Sequence, residues 1–197
     1  MLAAVILSGG ASQRMGSPKA LLPYRGKTFL EHLLEVSTHP KITERRVVLG
    51  PDAETIRADV PLPDSEIVVN AEWEKGQLSS IHAAIRSLPG SDEVDGMILF
   101  LIDHPAISST LVDKLIARFY DTTPRPRIVL PKFKDRRGHP VIFSSQTFLS
   151  LLDAPLETGA RAVVLQNVDH LAAIETDEEG CVLNVNDAAS LERLKEL

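Results

Sequence analysis

The sequence contains a single cysteine, Cys181, and this scarcity excludes several classes of protein. One thiol can form neither a disulfide framework nor a cluster of thiolate metal ligands, and a free thiol is consistent with a reducing cytoplasm. Long apolar runs are also missing, since none approaches the roughly 18 residues of a membrane-spanning helix. The apolar start, residues 2–7, lacks a basic leader and continues directly into glycines, so we interpret it as a strand rather than a signal peptide. We therefore expect a cytoplasmic protein without a membrane partner.

An excess of basic residues is absent as well. The chain has 21 lysines and arginines against 27 aspartates and glutamates, and its net charge of −6 argues against a nucleic-acid binder. A small anionic ligand remains compatible with this charge, because a local pocket can be positive on an acidic protein. The length of 197 residues and the 44% of apolar residues fit one domain with a sizeable core.

Short apolar runs alternate with segments of helical period along the chain. Many of these runs are continuous, which is typical of strands covered on both faces. The sequence predicts an α/β fold: a single-domain, Rossmann-like three-layer α/β/α sandwich with a mostly parallel sheet. Strands are expected at residues 2–7, 46–49, 66–69, 97–102, 127–130, 139–143, 171–174 and 181–185. Helices are expected at residues 29–36, 53–58, 78–88, 110–119, 147–152, 160–166 and 188–196.

A glycine-rich loop follows the first predicted strand, within ILSGGASQRMGSPKALLPYRGK. In open α/β sheets ligands bind beyond the carboxyl ends of the strands, where this loop would lie. Gly9 and Gly10 let the backbone approach a ligand, loop amides favour phosphate, and Arg14 and Lys19 add positive charge. The spacing is that of neither the Rossmann fingerprint nor the P-loop. We expect a polyphosphate ligand such as a nucleotide; a solvated surface turn is the alternative that these residues leave open.

The whole string resembles the signature of nucleotidyltransferases of the molybdenum-cofactor type, L-x-(A/G)-G-x-S-x-R-M-G-x-x-K-x-L-L-P followed by a glycine. The resemblance implies a fold of the nucleotide-diphospho-sugar transferase type. It also implies an enzyme that joins an NMP to a phosphorylated acceptor and releases pyrophosphate. Catalytic roles are implied for Lys19, Arg14 and Asp103. The nucleotide-binding residues implied here are Leu7, Ser8, Gly9, Gly10, Arg14, Gly16 and Lys19.

Asp103 ends the apolar run of residues 97–102. A nucleoside triphosphate reaction needs a hard cation, and Mg²⁺ is typically held by one or two carboxylates together with phosphate oxygens. The stretch LIDHP resembles the family's L-x-D-M-P, whose aspartate is the magnesium ligand. His104 stands where the family has methionine, and we do not expect it to be catalytic. A turn or helix cap is the alternative role for Asp103.

Residues 70–85, NAEWEKGQLSSIHAAI, resemble the family segment N-x-x-x-x-x-G-x-x-x-S-(L/I). A helix N-terminus here could hydrogen-bond a base or a ribose. Ordinary capping is the alternative, and Trp73 is expected to pack rather than to stack on a base. The resemblance adds Asn70, Gly76, Gln77, Ser79 and Ser80 to the nucleotide-binding residues.

Two further segments resemble the acceptor-binding part of the family. DRRGHPVIF resembles G-x-x-G-H-P-V-x-F, with Asp135 in place of the first glycine, and PLETGARAVV keeps the G-A-R of G-D-x-G-A-R. Gly138 would allow an acceptor to approach closely, and Arg136, Arg137 and His139 could meet its phosphate. A solvated basic loop is the alternative. The acceptor-binding residues implied are Arg137, Gly138, His139, Pro140, Gly159 and Arg161.

The segment LNVNDAASL lies where the cytidylyltransferase branch has D-I-D-T-P-E-D. Asn184 and Asn186 replace both aspartates, as in the N-x-N-T-P of the guanylyltransferase branch. An asparagine carbonyl can coordinate a hard cation without adding charge, so Asn186 is a weaker metal candidate beside Asp103.

The base preference is divided between the two branches. Residues 76–80 and 137–140 resemble the cytidylyltransferases, whereas residues 7–10 and 184–186 resemble the guanylyltransferases. We favour transfer of CMP from CTP to the phosphate of molybdopterin, with Mg²⁺ as cofactor. The alternatives are the same reaction with GTP, a sugar-1-phosphate nucleotidyltransferase, and a non-catalytic nucleotide- or cofactor-binding chaperone for molybdoenzyme maturation.

The two halves of the chain have separate expected roles. Residues from 1 to about 110 are expected to bind the nucleotide, and residues from about 111 to 197 the acceptor. The expected partners are CTP or GTP, a molybdopterin-type acceptor, and a molybdoenzyme or its chaperone. We expect a monomer or a weak homo-oligomer.

Overall fold

A mostly parallel sheet forms the middle layer of the protein. The structure is a computed structural model, and it describes residues 1–10, 17–90 and 93–197. The strands are β1 (Leu2–Ser8), β2 (Pro23–Tyr24), β3 (Lys27–Thr28), β4 (Ile42–Leu49), β5 (Ile67–Val69), β6 (Gly96–Leu101), β7 (Ile128–Phe133), β8 (Arg136–Arg137), β9 (Val141–Ser144) and β10 (Leu171–Glu175). Their order in the main sheet is β10-β7-β9-β6-β1-β4-β5, and β8 pairs with β7. Strand β9 is antiparallel to β6 and β7. The small hairpin β2–β3 stands apart and was not predicted.

Helices cover both faces of this sheet. They are α1 (Phe29–Val36), α2 (Ala53–Asp59), α3 (Gln77–Ser87), α4 (Ser109–Tyr120), α5 (Phe148–Asp153), α6 (Ala160–Gln166) and α7 (Ala188–Leu194). Helix α1 begins with a capping box, in which Thr28 and Glu31 satisfy each other's backbone amides. None of the helices in the described part of the chain is long and apolar enough to span a membrane.

Side chains of β1 alternate between two apolar clusters. Leu2, Ala4 and Ile6 pack in the cluster that includes buried residues of α1, α2, α4 and α7, whereas Ala3 and Val5 pack with those of α3, α5 and α6. All of β1 is buried, as a central strand between two helical layers requires. The predicted three-layer α/β/α sandwich is confirmed.

The register of the central strands brings the loop after β1 and the loop after β6 together. Strands β1 and β6 are parallel, with Leu7 opposite Leu101, and the amide of Ile102 donates to the carbonyl of Leu7 across 3.1 Å. The loops that follow β1 and β6 therefore leave the sheet at the same edge. Because β9 is antiparallel to β6 and starts with Val141 opposite Leu99, residues 137–140 enter the sheet from that edge as well.

One predicted strand is wrong. The apolar run at residues 181–185 forms no strand; a 3₁₀ helix covers Glu179–Val182, and the chain then turns to the sheet edge. There the amide of Val185 donates to the carbonyl of Asp103 across 2.7 Å. The backbone of this segment thus bonds to the loop after β6 instead of to a neighbouring strand.

Candidate active site

A first pocket lies where the loops after β1 and β6 meet, and we call it the nucleotide pocket. It has a volume of about 240 Å³ and receives backbone from the glycine loop, charge from Lys19 and Asp103, and the start of α3. Its lining residues are Leu7, Gly9, Gly10, Lys19, Trp73, Gly76, Gln77, Ser80, Leu101, Ile102 and Asp103. Most of the nucleotide-binding residues predicted within the described ranges thus line one pocket, together with the predicted metal ligand.

The glycine loop lies against the start of α3 with no room for a side chain at Gly9. A Cβ atom on Gly9 would lie only 2.6 Å from the Oγ atom of Ser80, whereas one on Gly10 would meet nothing within 4 Å. Ser80 itself is held by Asn70, whose Nδ2 donates to the hydroxyls of Ser80 at 3.0 Å and of Ser79 at 2.9 Å. This buried network fixes the wall of the pocket beside the loop.

Three predicted nucleotide-binding residues lie behind the pocket rather than on its surface. Asn70 and Ser79 use their side chains for internal hydrogen bonds, in which Ser79 donates to the carbonyls of Glu72 and Gly76. Ser8 is buried at the end of β1 and does not line the pocket. These three residues position the pocket wall, and direct contact with a nucleotide stays a prediction for them. Two other predicted residues, Arg14 and Gly16, lie outside the described residues.

The carboxyl group of Asp103 is partly buried among polar groups. Burial raises the pKa of Asp103, while the positive field of Lys19, the nearby His139 and a hydrogen bond from Asn184 oppose that rise. The side chain remains 23% exposed toward the pocket. A carboxylate that loses hydration in this way gains most from a bound cation.

The segment that carries Asn184 and Asn186 completes the surroundings of Asp103. The Nζ atom of Lys19 donates a hydrogen bond to Oδ1 of Asn186, and Asn184 hydrogen-bonds the carboxyl group of Asp103. In the structure Asn186 therefore contacts Lys19, and Asn184 is the amide beside the predicted metal ligand. The prediction of Asn186 as a weaker metal candidate is not tested by this contact.

The donor set around Asp103 fits a hard divalent cation that shares its ligands with a substrate. Within the described residues, no three His, Cys, Asp or Glu side chains are arranged to hold a metal ion. One carboxylate leaves most coordination positions to phosphate oxygens and water, as is usual for Mg²⁺. Asp103 would hold such an ion, with Asn184 beside it.

A second pocket adjoins the first, and we call it the acceptor pocket. Its volume is about 600 Å³, and Gln77 borders both pockets. The predicted acceptor residues Arg137, Gly138, His139, Gly159 and Arg161 all line it. Its walls are largely apolar, with contributions from Leu99, Leu130, Val141, Phe143, Val164 and Leu165.

Two residues predicted around the acceptor lie elsewhere. Pro140 is buried behind the acceptor pocket and does not line it. Arg136 donates from Nη2 to the carbonyl of Val182 across 3.2 Å, so it holds the segment that approaches Asp103. The expectation that Arg136 meets an acceptor phosphate finds no support in this position. Arg137, in contrast, is exposed at the pocket.

Two histidine rings meet near Asp103, and the contact was missed by sequence reasoning; His139 lines the acceptor pocket, whereas His104 lines neither pocket. The rings of His104 and His139 lie 5.1 Å apart, centroid to centroid. Burial lowers the pKa of each to about 4, so both rings are neutral at pH 7 and His139 adds no charge to the acceptor pocket. Each precedes a proline in the sequence, but nothing in that pattern indicates that the two rings meet.

Trp73 also lines the nucleotide pocket, although packing was the expected role. Its side chain is half-buried at the pocket wall, beside the start of α3. The sequence signal that could have indicated this role of Trp73 was its position within residues 70–85, the segment that resembles the family pattern.

Comparison with known families agrees with this geometry. The model of the MobA-like NTP transferase domain matches residues 4–171 of the chain. The chain belongs to this family. This MobA-like transferase is a nucleotidyltransferase with the nucleotide-diphospho-sugar transferase fold, as the resemblance of its glycine loop implied.

Two curated relatives illustrate the range of similar proteins. The chain is 29% identical over 201 residues to nicotine blue oxidoreductase of Paenarthrobacter nicotinovorans. The aligned region covers 96% of this chain and 94% of that protein. It is 32% identical over 119 residues to the bifunctional protein GlmU of Burkholderia vietnamiensis (strain G4 / LMG 22486). The second match covers 59% of this chain but only 25% of GlmU.

Among solved structures, Rv0371c of Mycobacterium tuberculosis H37Rv is similar over its whole length. The TM-score is 0.78 at 27% identity, and the match covers 100% of this chain and 98% of that one. A complex of Rv0371c with manganese matches with a TM-score of 0.74 at 25% identity, over 99% of this chain and 98% of that one.

Proposed function

We propose that this MobA-like transferase moves CMP from CTP to the phosphate of molybdopterin or its molybdenum form and releases pyrophosphate. One observation carries the proposal. The glycine loop, Lys19 and Asp103 line one pocket, Arg137 and Arg161 line the adjoining one, and Gln77 borders both. A triphosphate and a phosphorylated acceptor need two such pockets, with positive charge in each.

The reaction requires the neutralisation of negative charge more than it requires a protein nucleophile. An acceptor phosphate is already ionised at neutral pH, but it must approach the α-phosphorus of a strongly negative triphosphate. Positioning and electrostatic stabilisation therefore supply most of the catalysis. Lys19 would stabilise charge on the leaving pyrophosphate together with the amides of Gly9 and Gly10, and Arg14 is proposed to share this role. A trapped covalent nucleotidyl-enzyme would contradict direct transfer.

A divalent cation is part of the proposal. Nucleotidyltransferases generally use such ions, and the manganese complex of Rv0371c supports a divalent site in this family. The ion proposed from the sequence resemblance is Mg²⁺. When bound, it would add positive charge to the phosphate oxygens, and Asp103 would hold it.

The apolar walls of the acceptor pocket support a molybdopterin-type acceptor over a sugar phosphate. Leu99, Leu130 and Phe143 line the pocket behind the exposed guanidinium groups of Arg137 and Arg161. Sugar hydroxyls that are buried against such walls would lack hydrogen-bond partners, which is unfavourable. A phosphate on a flat heterocyclic body matches both the polar rim and the apolar walls.

The choice of CTP rests on the segments at residues 76–80 and 137–140, which resemble the cytidylyltransferase branch. Thermal unfolding with each nucleoside triphosphate and Mg²⁺ tests it, because a ligand at 100 times its Kd stabilises a protein by about 2.7 kcal/mol. We expect CTP to raise the Tm most. Stabilisation by GTP alone would replace CTP with GTP in the proposal.

Pyrophosphate release tests the reaction itself. We expect release with CTP and molybdopterin, and none with CTP and sugar 1-phosphates. Release with sugar phosphates alone would support a sugar-1-phosphate nucleotidyltransferase. Tight nucleotide binding without turnover under any condition would support a cofactor-binding chaperone.

A redox reaction on a dinucleotide is a second candidate. The name of the relative that is 29% identical denotes an oxidoreductase. Two adjoining pockets that share Gln77 would also suit the two halves of a dinucleotide. Titration with NADH and NADPH, followed by nicotinamide fluorescence, tests this candidate. We expect no binding below millimolar concentration; micromolar binding would favour the redox reaction.

The remaining expectations form part of the same proposal. We propose that residues 1 to about 110 bind the nucleotide and that residues from about 111 to 197 bind the acceptor. Gln77 and Leu99 from the first part also reach the acceptor pocket. We place the protein in the cytoplasm, where a molybdoenzyme or its chaperone would receive the product.

A further inference from the structure

Trp73 is the only tryptophan of the chain, and it lies at the nucleotide pocket rather than in the core. Within the described residues, it belongs to neither of the two apolar clusters that pack against the sheet. Large aromatic side chains usually stabilise a protein by burial in such clusters. The expectation that Trp73 serves to pack therefore finds no support in this position, and its flat apolar ring is left to the pocket.

The order of the strands puts Trp73 and Asp103 on opposite sides of the glycine loop. The loop follows β1, Asp103 follows β6, and Trp73 follows β5. These strands and β4 are parallel and lie in the order β6-β1-β4-β5, so all three segments leave the sheet at the same edge with the glycine loop between the other two. A triphosphate bound along the loop, with its metal at Asp103, would extend its nucleoside toward Trp73.

A polar network holds the turn that carries Trp73. One turn of 3₁₀ helix spans Trp73–Lys75. Just before it, the amide of Glu72 donates to Oδ1 of Asn70 at 2.9 Å, and the hydroxyl of Ser79 donates to the carbonyl of Glu72 at 3.0 Å. Asn70 also donates to the hydroxyl of Ser80, which forms the pocket wall beside the glycine loop. The turn and that wall thus share one anchor, which fixes the backbone of Trp73 before any ligand binds.

We propose that the indole ring of Trp73 is a stacking platform for the base of the bound nucleoside triphosphate. The inference rests on the proposed function for the presence of a triphosphate in this pocket, and it adds how the base is held. Stacking on an aromatic side chain strengthens binding and tolerates every base, because each base has a π-face. Trp73 would therefore add affinity for CTP and for GTP and leave the choice between them to polar groups.

Intrinsic fluorescence tests the inference without an assay of activity, since the only tryptophan of the chain is Trp73. The full chain with Mg²⁺ is titrated with CTP, with GTP, and with inorganic tripolyphosphate, which supplies the phosphates without a base. Free N-acetyltryptophanamide corrects for absorption of light by the nucleotides. We expect saturable quenching by each nucleotide that calorimetry shows to bind, and little change with tripolyphosphate. Equal quenching by tripolyphosphate, or nucleotide binding without quenching, would overturn the inference.

Two substitutions separate stacking from packing. Trp73→Phe keeps a flat ring, whereas Trp73→Leu keeps an apolar side chain without one. We expect calorimetry to show CTP binding weakened about tenfold or more in Trp73→Leu but only about threefold in Trp73→Phe, the size of effect typical of lost base stacking. The affinity for tripolyphosphate should change less than about twofold in both variants, because phosphates do not stack.

Leu149→Ala is the matched control for the loss of an exposed apolar side chain. Leu149 is 74% exposed on α5 and lines neither pocket, so CTP binding should be unchanged. Thermal unfolding of Trp73→Leu should match that of the unmodified chain, since Trp73 belongs to neither apolar cluster. If Trp73→Leu does not fold, the fluorescence titration of the unmodified chain decides. Unchanged CTP affinity in a folded Trp73→Leu would overturn the inference.

The two proposals fail in different ways. Base-dependent quenching and weakened CTP binding in Trp73→Leu, in the absence of any CMP transfer, would support the stacking platform while contradicting the reaction. CMP transfer with an unchanged KM for CTP in Trp73→Leu would support the reaction and overturn the role of Trp73. Absence of binding by every nucleotide would contradict both.

Discussion

Lys19 and Asn186 are 167 positions apart in the sequence, yet Nζ of Lys19 donates a hydrogen bond to Oδ1 of Asn186. This bond links the end of the glycine loop to the segment that leads into the C-terminal helix. The same segment is fixed to the loop after β6 by the amide of Val185, which donates to the carbonyl of Asp103. Parts of the chain from both ends therefore build the surroundings of one carboxylate.

We expect Lys19 and Asn186 to act as a coupled pair. Lys19→Met should reduce CMP transfer by roughly 10²–10³-fold, the usual effect of removing one charge-stabilising contact. Asn186→Ala should have a smaller effect, and the double variant should lose less than the product of the two single losses, because the residues share a hydrogen bond. Kinetics of the four proteins measure this, with Lys27→Met on the exposed Lys27–Glu35 ion pair as the control. Strict additivity would show that the contact has no functional role.

Asp103→Asn should separate activity from stability. The change removes the charge proposed to hold the cation, so transfer should fall by at least about 10²–10³-fold. Because burial raises the pKa of Asp103, its charged form is disfavoured in the folded protein, and the neutral variant should unfold at the same or a higher temperature at pH 7. Steady-state rates and thermal unfolding measure the two effects, and Asp121→Asn on the surface is the matched control. A variant that retains activity within twofold would remove Asp103 from the proposed mechanism.

The acceptor pocket predicts a change in one Michaelis constant only. Arg137→Met and Arg161→Met should each raise the KM for the acceptor about tenfold or more, since a hydrogen bond to a charged group contributes about 1.5–3 kcal/mol. The KM for CTP should stay within twofold. Arg118→Met in α4, away from the pockets, is the control. Equal increases in both constants would indicate a general disturbance of the site.

The close approach of Gly9 to Ser80 predicts that removal of the Ser80 hydroxyl will restore stability lost in Gly9→Ala. Gly9→Ala places a methyl group 2.6 Å from Oγ of Ser80, so it should destabilise the fold by about 1–3 kcal/mol. Gly10→Ala, which meets nothing within 4 Å, should change stability little. Because Ser80→Ala removes the hydroxyl that clashes, the double variant should be more stable than Gly9→Ala alone. Chemical denaturation measures the unmodified chain and the four variants, and equal losses at Gly9 and Gly10 would contradict the close approach.

The lowered pKa of Asp95 predicts a loss of folding stability in acid. Burial alone raises the pKa of Asp95, but hydrogen bonds from the N-terminal ammonium, Tyr120 and Arg125 outweigh burial and lower the pKa from 3.8 to about 2. A carboxyl group with a lowered pKa stabilises the fold above its unfolded pKa, and this contribution disappears as the pH falls from about 4 to about 2.

Asp95→Asn should therefore be less stable than the unmodified chain at pH 7, and the difference should shrink below pH 4. The free energy of unfolding measured from pH 7 to pH 2 checks this, with Asp121→Asn as the control. Parallel curves for the unmodified chain and Asp95→Asn would show that Asp95 contributes no pH dependence.

Periodicity in the sequence was sufficient for most of the fold. Continuous apolar runs such as residues 2–7 became central strands, because a strand covered on both faces needs apolar side chains on both. The same reasoning failed at residues 181–185, where Cys181, Val182 and Val185 are buried without joining the sheet. Apolar character predicts burial, but it does not specify which backbone groups will be the hydrogen-bond partners.

The sequence by itself determined the order of the elements, the glycine loop and the family, because local periodicity and one contiguous motif carry that information. Only the tertiary structure decided which distant residues meet. Asn70 and Ser79 were found to bond to each other behind the nucleotide pocket, while His104 and His139 were brought together beside Asp103. These contacts depend on the parallel register of β1 with β6 and the antiparallel entry of β9, which arise from packing between segments far apart in the chain.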